Sequence, residues 1–320
     1  MKDVFLLLGV TLATPLYAAD ITPYIVNGSD ISATKYPSFV SLFYDRIDYD
    51  GAYSTSPYCG ATLLSSQYVL TAAHCIYGDS DSQRFTSVVP QLQHESDFPD
   101  NVMDRVMVNE YYYPDSYNDD TLANDIAILK LATPITIVSD YTDRATVSDE
   151  LTYRNVSEQF FAIGHGNTET GVDDSESLQE TQLAYVANED CNVYTGVDTS
   201  DNLCMTGATT VVYDNATCQG DSGGPLFWNT KQVGITSFGP AAGCGFTGIE
   251  PNSVFTEVSH HADWIDSVLN GNESPKVTIT DEARNSALGI STTTSSSGGG
   301  GSLGLFSLLA LVLFGKRRHA

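Results

Sequence analysis

The chain has 320 residues, 42% of them hydrophobic, enough for one large domain or two smaller ones with proper cores. Fourteen Lys and Arg stand against 40 Asp and Glu, a formal charge of −26. That balance repels phosphate backbones and anionic lipid, which argues against nucleic-acid partners and against adhesion to acidic membrane surfaces. The six cysteines are widely spaced and contain no CxxC pair, a pattern that suits disulfides in an oxidising compartment better than a zinc site.

Residues 1–19 read as a secretory signal, with Lys2 as a thin positive start, Phe5–Leu12 as the apolar core and Tyr17-Ala18-Ala19 as a small-residue exit. The apolar run is short for a membrane span. Ser38–Tyr44 and Thr62–Leu70 are rich in β-branched and aromatic residues, with turn residues between them, and are expected as strands. The second runs into Thr71-Ala72-Ala73-His74-Cys75. Gly78–Asp120 is expected to be loop-rich and acidic, and Tyr111–Pro114 to be packing surface beside the segment that follows. In Asn124–Leu131, NDIAILKL, a carboxylate (Asp125) precedes an alternating strand. Ala132–Glu150 reads as a connection between two halves, and Ser259–Leu269 as a helix packed through Trp264 and Ile265.

Cys218–Leu226, CQGDSGGPL, sets Ser222 between small residues that leave its hydroxyl reachable. A glycine at 220 lets the backbone turn sharply and aim amide hydrogens at one point. A hydroxyl alone is a poor nucleophile, so the chemistry demands a histidine base and an orienting carboxylate. Taken singly, His74 has the plainer reading of a structural histidine and Asp125 that of a turn carboxylate.

Together GDSGGP, TAAHC and NDIAILKL resemble the nucleophile, histidine and aspartate motifs of the chymotrypsin-like (trypsin-fold) serine proteases. The resemblance covers about Ile25 to Asn270 and implies an all-β fold: two six-stranded antiparallel Greek-key barrels, split near 132–150, with a C-terminal helix. It implies His74 as general base, Asp125 as its orienter, supported by Ser237, and Ser222 as nucleophile. Backbone amides of Gly220 and Ser222 would form the oxyanion hole. The order His, Asp, Ser is that of chymotrypsin rather than of subtilisin or the α/β-hydrolases. The resemblance also implies three disulfides, Cys59–Cys75, Cys191–Cys204 and Cys218–Cys244, the first constraining the histidine loop by roughly 3 kcal/mol in the chain-entropy model.

Ile25-Val26-Asn27-Gly28 is similar to the family's mature start, which makes residues 20–24 a short propeptide. Cleavage after Tyr24 would free the Ile25 ammonium to pair with Asp221. The cut is made by another protease or by the enzyme itself, since Tyr24 suits a neutral pocket. The pocket base would be Ala216, with Gly239 and Ser253 as walls, which suggests aromatic or apolar side chains; a basic preference through Glu250 is the alternative. His165 and Phe238 stand where the family usually has Trp.

No metal or organic cofactor is required. The acidic residues Asp79, Asp81, Glu95, Asp97 and Asp100 are candidates for calcium on charge alone, without a recognisable ligand spacing. The tail divides into a flexible Ser/Thr-rich linker (271–297) and a glycine run, apolar segment and basic cluster (298–320). It resembles the C-terminal sorting signal of secreted trypsin-fold proteases of Gram-negative bacteria, with a plain membrane anchor as the alternative. The expected partners are protein or peptide substrates, an activating protease, and the export and C-terminal sorting machinery, with transient membrane association through the tail. The expected location is extracellular or surface-attached, reached through the periplasm. A catalytically silent binding protein and a surface adhesin are the competing readings, and the intact triad disfavours both.

Overall fold

The computed structural model describes residues 25–172, 176–191, 198–209 and 213–291. The signal, the propeptide with Tyr24, and the tail from residue 292 therefore lie outside the described residues.

The first half forms strands β1 (Phe39–Arg46), β2 (Cys59–Leu63), β3 (Tyr68–Thr71), β4 (Thr86–Pro90), β5 (Val106–Tyr112) and β6 (Ala127–Leu131). They pair antiparallel in the closed order β1-β2-β3-β6-β5-β4. The second half forms β7 (Phe160–Gly164), β8 (Gln179–Val186), β9 (Asn202–Gly207), β10 (Pro225–Trp228), β11 (Lys231–Phe238) and β12 (Ser253–Glu257). These close in the equivalent order β7-β8-β9-β12-β11-β10. The architecture is the expected pair of six-stranded antiparallel barrels, and closure leaves neither with a free edge inside its ring.

Strand alternation decides where each barrel faces its neighbour. Ala127, Leu129 and Leu131 point into the first barrel's core with Val69, Val88 and Val108. Their alternates Ile126 and Ile128 point the other way and meet Ile235 and Val258 of the second barrel. The same cluster takes in Ile265 and Val268 of the C-terminal helix (Ala262–Leu269), so that helix seals the joint between barrels. Trp264, by contrast, is only partly buried. A second joint packs Phe39 of β1 on Ile163, Leu178 and Phe227.

Two expectations are corrected. The acidic stretch Gly78–Asp120 holds a helix, α1 (Ser80–Phe85), and two barrel strands, β4 and β5. Its acidic residues sit mainly between these elements, while Ser87, Val88, Val89, Val106 and Val108 are buried. The connection near 132–150 likewise contains a helix, α2 (Val147–Tyr153), whose Tyr153 hydroxyl donates to buried Glu257 at 2.6 Å.

The second correction concerns the linker expected over 271–297. Its first part folds onto the first barrel. Strand β13 (Val277–Thr278) adds to β5 antiparallel, with Val277 opposite Tyr111. A helix (Asp281–Ala287) follows, capped by the Thr280 hydroxyl accepting from the Ala283 amide. Arg284 on that helix is 1% exposed. Its guanidinium donates to the carbonyls of Arg84 (2.7 Å) and Val108 (2.6 Å), to Asn109 Oδ1 (3.2 Å) and to Asp281 (2.8 Å). A polar composition conceals this docking, because the group that is buried is an arginine whose three guanidinium nitrogens each donate to an acceptor.

Candidate active site

His74 lies on a one-turn 3-10 helix (Ala73–Cys75) directly after β3, and Cys75 is bridged to Cys59 of β2. Asp125 sits two residues before β6, which pairs with β3 at Thr71–Ala127. That register brings the two side chains together. His74 Nδ1 is 2.7 Å from Asp125 Oδ2, and the His74 amide donates to Oδ1 at 2.9 Å. Asp125 is fully buried. The second barrel completes its shell: the Ser237 hydroxyl donates to Oδ2 at 2.5 Å, and the Thr256 hydroxyl donates to the Asp125 carbonyl at 2.8 Å. The sequence assigns Thr256 no role; only its place three residues after Ser253 points to it.

Burial opposes the charged imidazolium of His74. The hydrogen bond and charge of Asp125, helped by the charge of Asp119, outweigh that penalty and raise the histidine above its ordinary value. With Nδ1–H committed to the carboxylate, Nε2 is the nitrogen left to accept a proton.

Ser222 is partly exposed, on the loop between Cys218 and β10. Its carbonyl accepts from the Gly60 amide at 2.8 Å, which ties the loop to β2 of the first barrel. Gly223 has φ +75°, and a Cβ there would lie 2.1 Å from Thr71 Oγ1 and 3.1 Å from Cys75 Sγ. The serine loop thus rests on the histidine turn with no room for a side chain at 223. Gly220 has φ +99° and backs onto Gly166. Among the described residues the amides of Gly220 and Ser222 donate to no protein acceptor.

Asp221 is fully buried, enclosed by Gly164 and Gly166. It accepts from the amides of Gly166 and Cys218, both at 2.8 Å. Burial still dominates and pushes its carboxyl up to about 7. The side chains of Ile25 and Val26 are also fully buried, and the Val26 carbonyl accepts from the Ala216 amide at 3.4 Å.

Beside Ser222 opens a cavity of about 170 Å³, lined by Thr217–Gln219, Ser222, Thr236–Pro240 and Cys244. None of these residues is charged. Gly239 is a lining residue as expected, whereas Ala216 and Ser253 are not. Ala216 packs behind the wall with Val26, Cys218 and Cys244. Ser253 is fully buried and its hydroxyl accepts from the Thr217 amide. Glu250 is exposed and outside the lining. The remaining cysteines pair as Cys191–Cys204 and Cys218–Cys244.

Three of the acidic residues considered for calcium have other engagements. Asp79 caps α1, Asp81 accepts from the Tyr44 hydroxyl, and Asp97 accepts from the His94 amide. Cys59, His74 and Cys75 lie close enough to hold a metal, but the two sulfurs are joined to each other and offer no thiolate.

The trypsin family profile matches residues 25–265, a span that contains both barrels and every residue of this site. The chain belongs to the trypsin family. A brachyurin from Leptuca pugilator is 31% identical over 246 residues, covering 75% of this chain and 96% of that protein. Trypsin Blo t 3 from Blomia tropicalis is 30% identical over 246 residues, covering 76% and 85%. The solved structure of neuropsin, a serine protease expressed in the limbic system of mouse brain, shares the fold with a TM-score of 0.61 at 22% identity, over 76% of this chain and 98% of that one. This trypsin-family chain is a serine-type endopeptidase, and it extends past the family match through the docked segment ending in the helix Asp281–Ala287.

Proposed function

We propose that the protein hydrolyses peptide bonds through a His74–Asp125–Ser222 triad. Ser222 Oγ attacks the scissile carbonyl while His74 Nε2 takes its proton. Asp125 fixes the tautomer and stabilises the imidazolium, and the Gly220 and Ser222 amides receive the oxyanion, each donor worth about 3 kcal/mol. His74 then protonates the leaving amine, and water resolves the acyl-enzyme. The observation that carries this reading is Asp125, buried and hydrogen-bonded at once to His74 and to Ser237 of the other barrel.

In this reading the protein is secreted as a zymogen. Cleavage after Tyr24 supplies an ammonium at Ile25, and Asp221, buried without a cation among the described residues, receives it. The uncharged cavity lining supports an aromatic or apolar side chain at the cleaved residue. The segment after 291 serves sorting or anchoring at the cell surface.

The test is cleavage of a mixed peptide library by protein beginning at Ile25, beside its Ser222→Ala variant. Cleavage after Tyr, Phe or Leu by the wild type alone is expected. Cleavage after Arg or Lys would discard the neutral pocket and keep the mechanism. No cleavage at all would reject the triad reading.

A further inference from the structure

The rim of the site on the first-barrel side carries a group of side chains that the triad and the cavity do not use. Tyr77 lies three residues past His74, and its amide donates to the Ala73 carbonyl at 2.9 Å, so the ring leaves the same turn as the catalytic imidazole. It is 41% exposed. Tyr113 and Tyr117 meet it edge-on, with ring centroids 5.3 and 5.0 Å away, and lie 6.4 Å from each other. Both pack their inner sides on the first-barrel core beside Cys75, which fixes them as a platform.

One carboxylate completes the group. The Tyr117 hydroxyl donates to Asp119 Oδ1 at 2.9 Å. Among the described residues Asp119 has no cationic partner, although it is exposed. The segment bearing it is held in shape. Asn118 bridges to Ala123, the Asn118 side chain accepts from the amides of Asp120 and Thr121, and Asn124 Nδ2 donates to the Ser116 carbonyl. Six residues separate Asp119 from Asp125. The two groups feel one another's surroundings: Asp119, after Asp125, helps raise His74 against the opposing effect of burial, and the charge of Asp125 adds to burial in raising Tyr117.

Three clustered phenol rings beside a carboxylate suit one ligand chemistry. A lysine or arginine side chain gains from aromatic faces and from the carboxylate together, and its stem lies on the rings. A carboxylate side chain would be repelled. We propose that Tyr77, Tyr113, Tyr117 and Asp119 form a second specificity subsite, which takes a basic side chain of the substrate at a position flanking the cleaved residue. The inference rests on the protease reading above. The enzyme then selects a pair of residues, a neutral one in the cavity beside Ser222 and a basic one at this rim.

The experiment uses the full-length protein after activation and short fluorogenic peptides with Phe at the cleaved position. Each of the two residues on either side is set in turn to Arg, Lys, Leu or Glu. Hydrolysis of the all-neutral peptide by the wild type, absent in Ser222→Ala, first establishes the protease activity separately. At one flanking position kcat/KM for Arg or Lys is expected to exceed that for Leu about tenfold, with Glu lowest. Within Asp119→Asn the basic-to-Leu ratio is expected to fall to about twofold; taking the ratio inside each variant cancels any change in His74. Tyr77→Leu, which removes the exposed ring and no charge, is expected to reduce the ratio partway. High salt should shrink the preference in the wild type. Equal rates for Lys, Leu and Glu at every flanking position would overturn the subsite, and so would a basic preference that survives Asp119→Asn.

Discussion

The two barrels run their six strands in the same cyclic order, yet they treat their key carboxylates in opposite ways. Asp125, at the head of β6, is buried with donors from His74, Ser237 and the His74 amide. Asp221, before β10, is equally buried but among the described residues is met only by two backbone amides, and its carboxyl rises to about 7. The first barrel is also strapped from outside by β13 and the Arg284 helix, whereas the second gains only short strand additions, Ser29–Asp30 on β8 and Asp143–Arg144 on β11, among the described residues. One topology therefore yields a half whose histidine and carboxylate are paired and a half whose buried carboxylate has no cationic partner among the described residues. The joint of Ile126, Ile128, Ile235 and Val258 holds the two in register.

The largest expected effect tests whether the halves make one machine. His74→Ala in the first barrel and Ser222→Ala in the second should each lower kcat by at least about 10⁴-fold, and the double variant should be no worse than either. Additive losses, measured in steady-state assays, would mean that the two residues do not act as a unit.

Next in size is the unmatched carboxylate. A buried carboxyl raised from 3.8 to about 7 binds its proton more tightly in the folded chain than in the unfolded one. It therefore opposes folding progressively as pH climbs from about 4 to about 7, by up to about 4 kcal/mol once fully ionised. In urea unfolding the uncleaved Ser222→Ala precursor should lose stability over that window relative to the same variant beginning at Ile25, whose ammonium is the partner proposed for Asp221. Identical pH profiles would remove the distinction between the barrels.

The smallest effect sharpens the strap. Arg284→Ala strands the buried carbonyls of Arg84 and Val108, and should cost about 2–3 kcal/mol. Faster amide exchange in β5 than in β11 should accompany it. A loss under about 0.5 kcal/mol would make the strap ornamental.

Much of this was open to reading in one dimension. The residues of the site announce themselves because chemistry restricts them: Ser222 needs small neighbours, and His74 needs a carboxylate. Asn124–Leu131 shows its strand because β6 faces two apolar surfaces, so both its odd and even positions are hydrophobic. Strands β4 and β5 are hidden in the sequence because they are embedded among acidic turns. The docked segment around Arg284 escaped because hydrophobic patterning cannot flag a buried arginine.

The sequence by itself, through motifs of restricted residue type at close spacing and the family resemblance they carry, determined the barrel class and marked His74, Asp125 and Ser222 as the candidate reacting groups. Only the tertiary structure decided which side chains share a site. Thr256 reaches Asp125 from another barrel, Ala216 and Ser253 fall behind the cavity wall, and three tyrosines from two chain segments gather beside His74. These are contacts between residues far apart in the chain, set by barrel closure and by the apolar joint, and no local pattern encodes them.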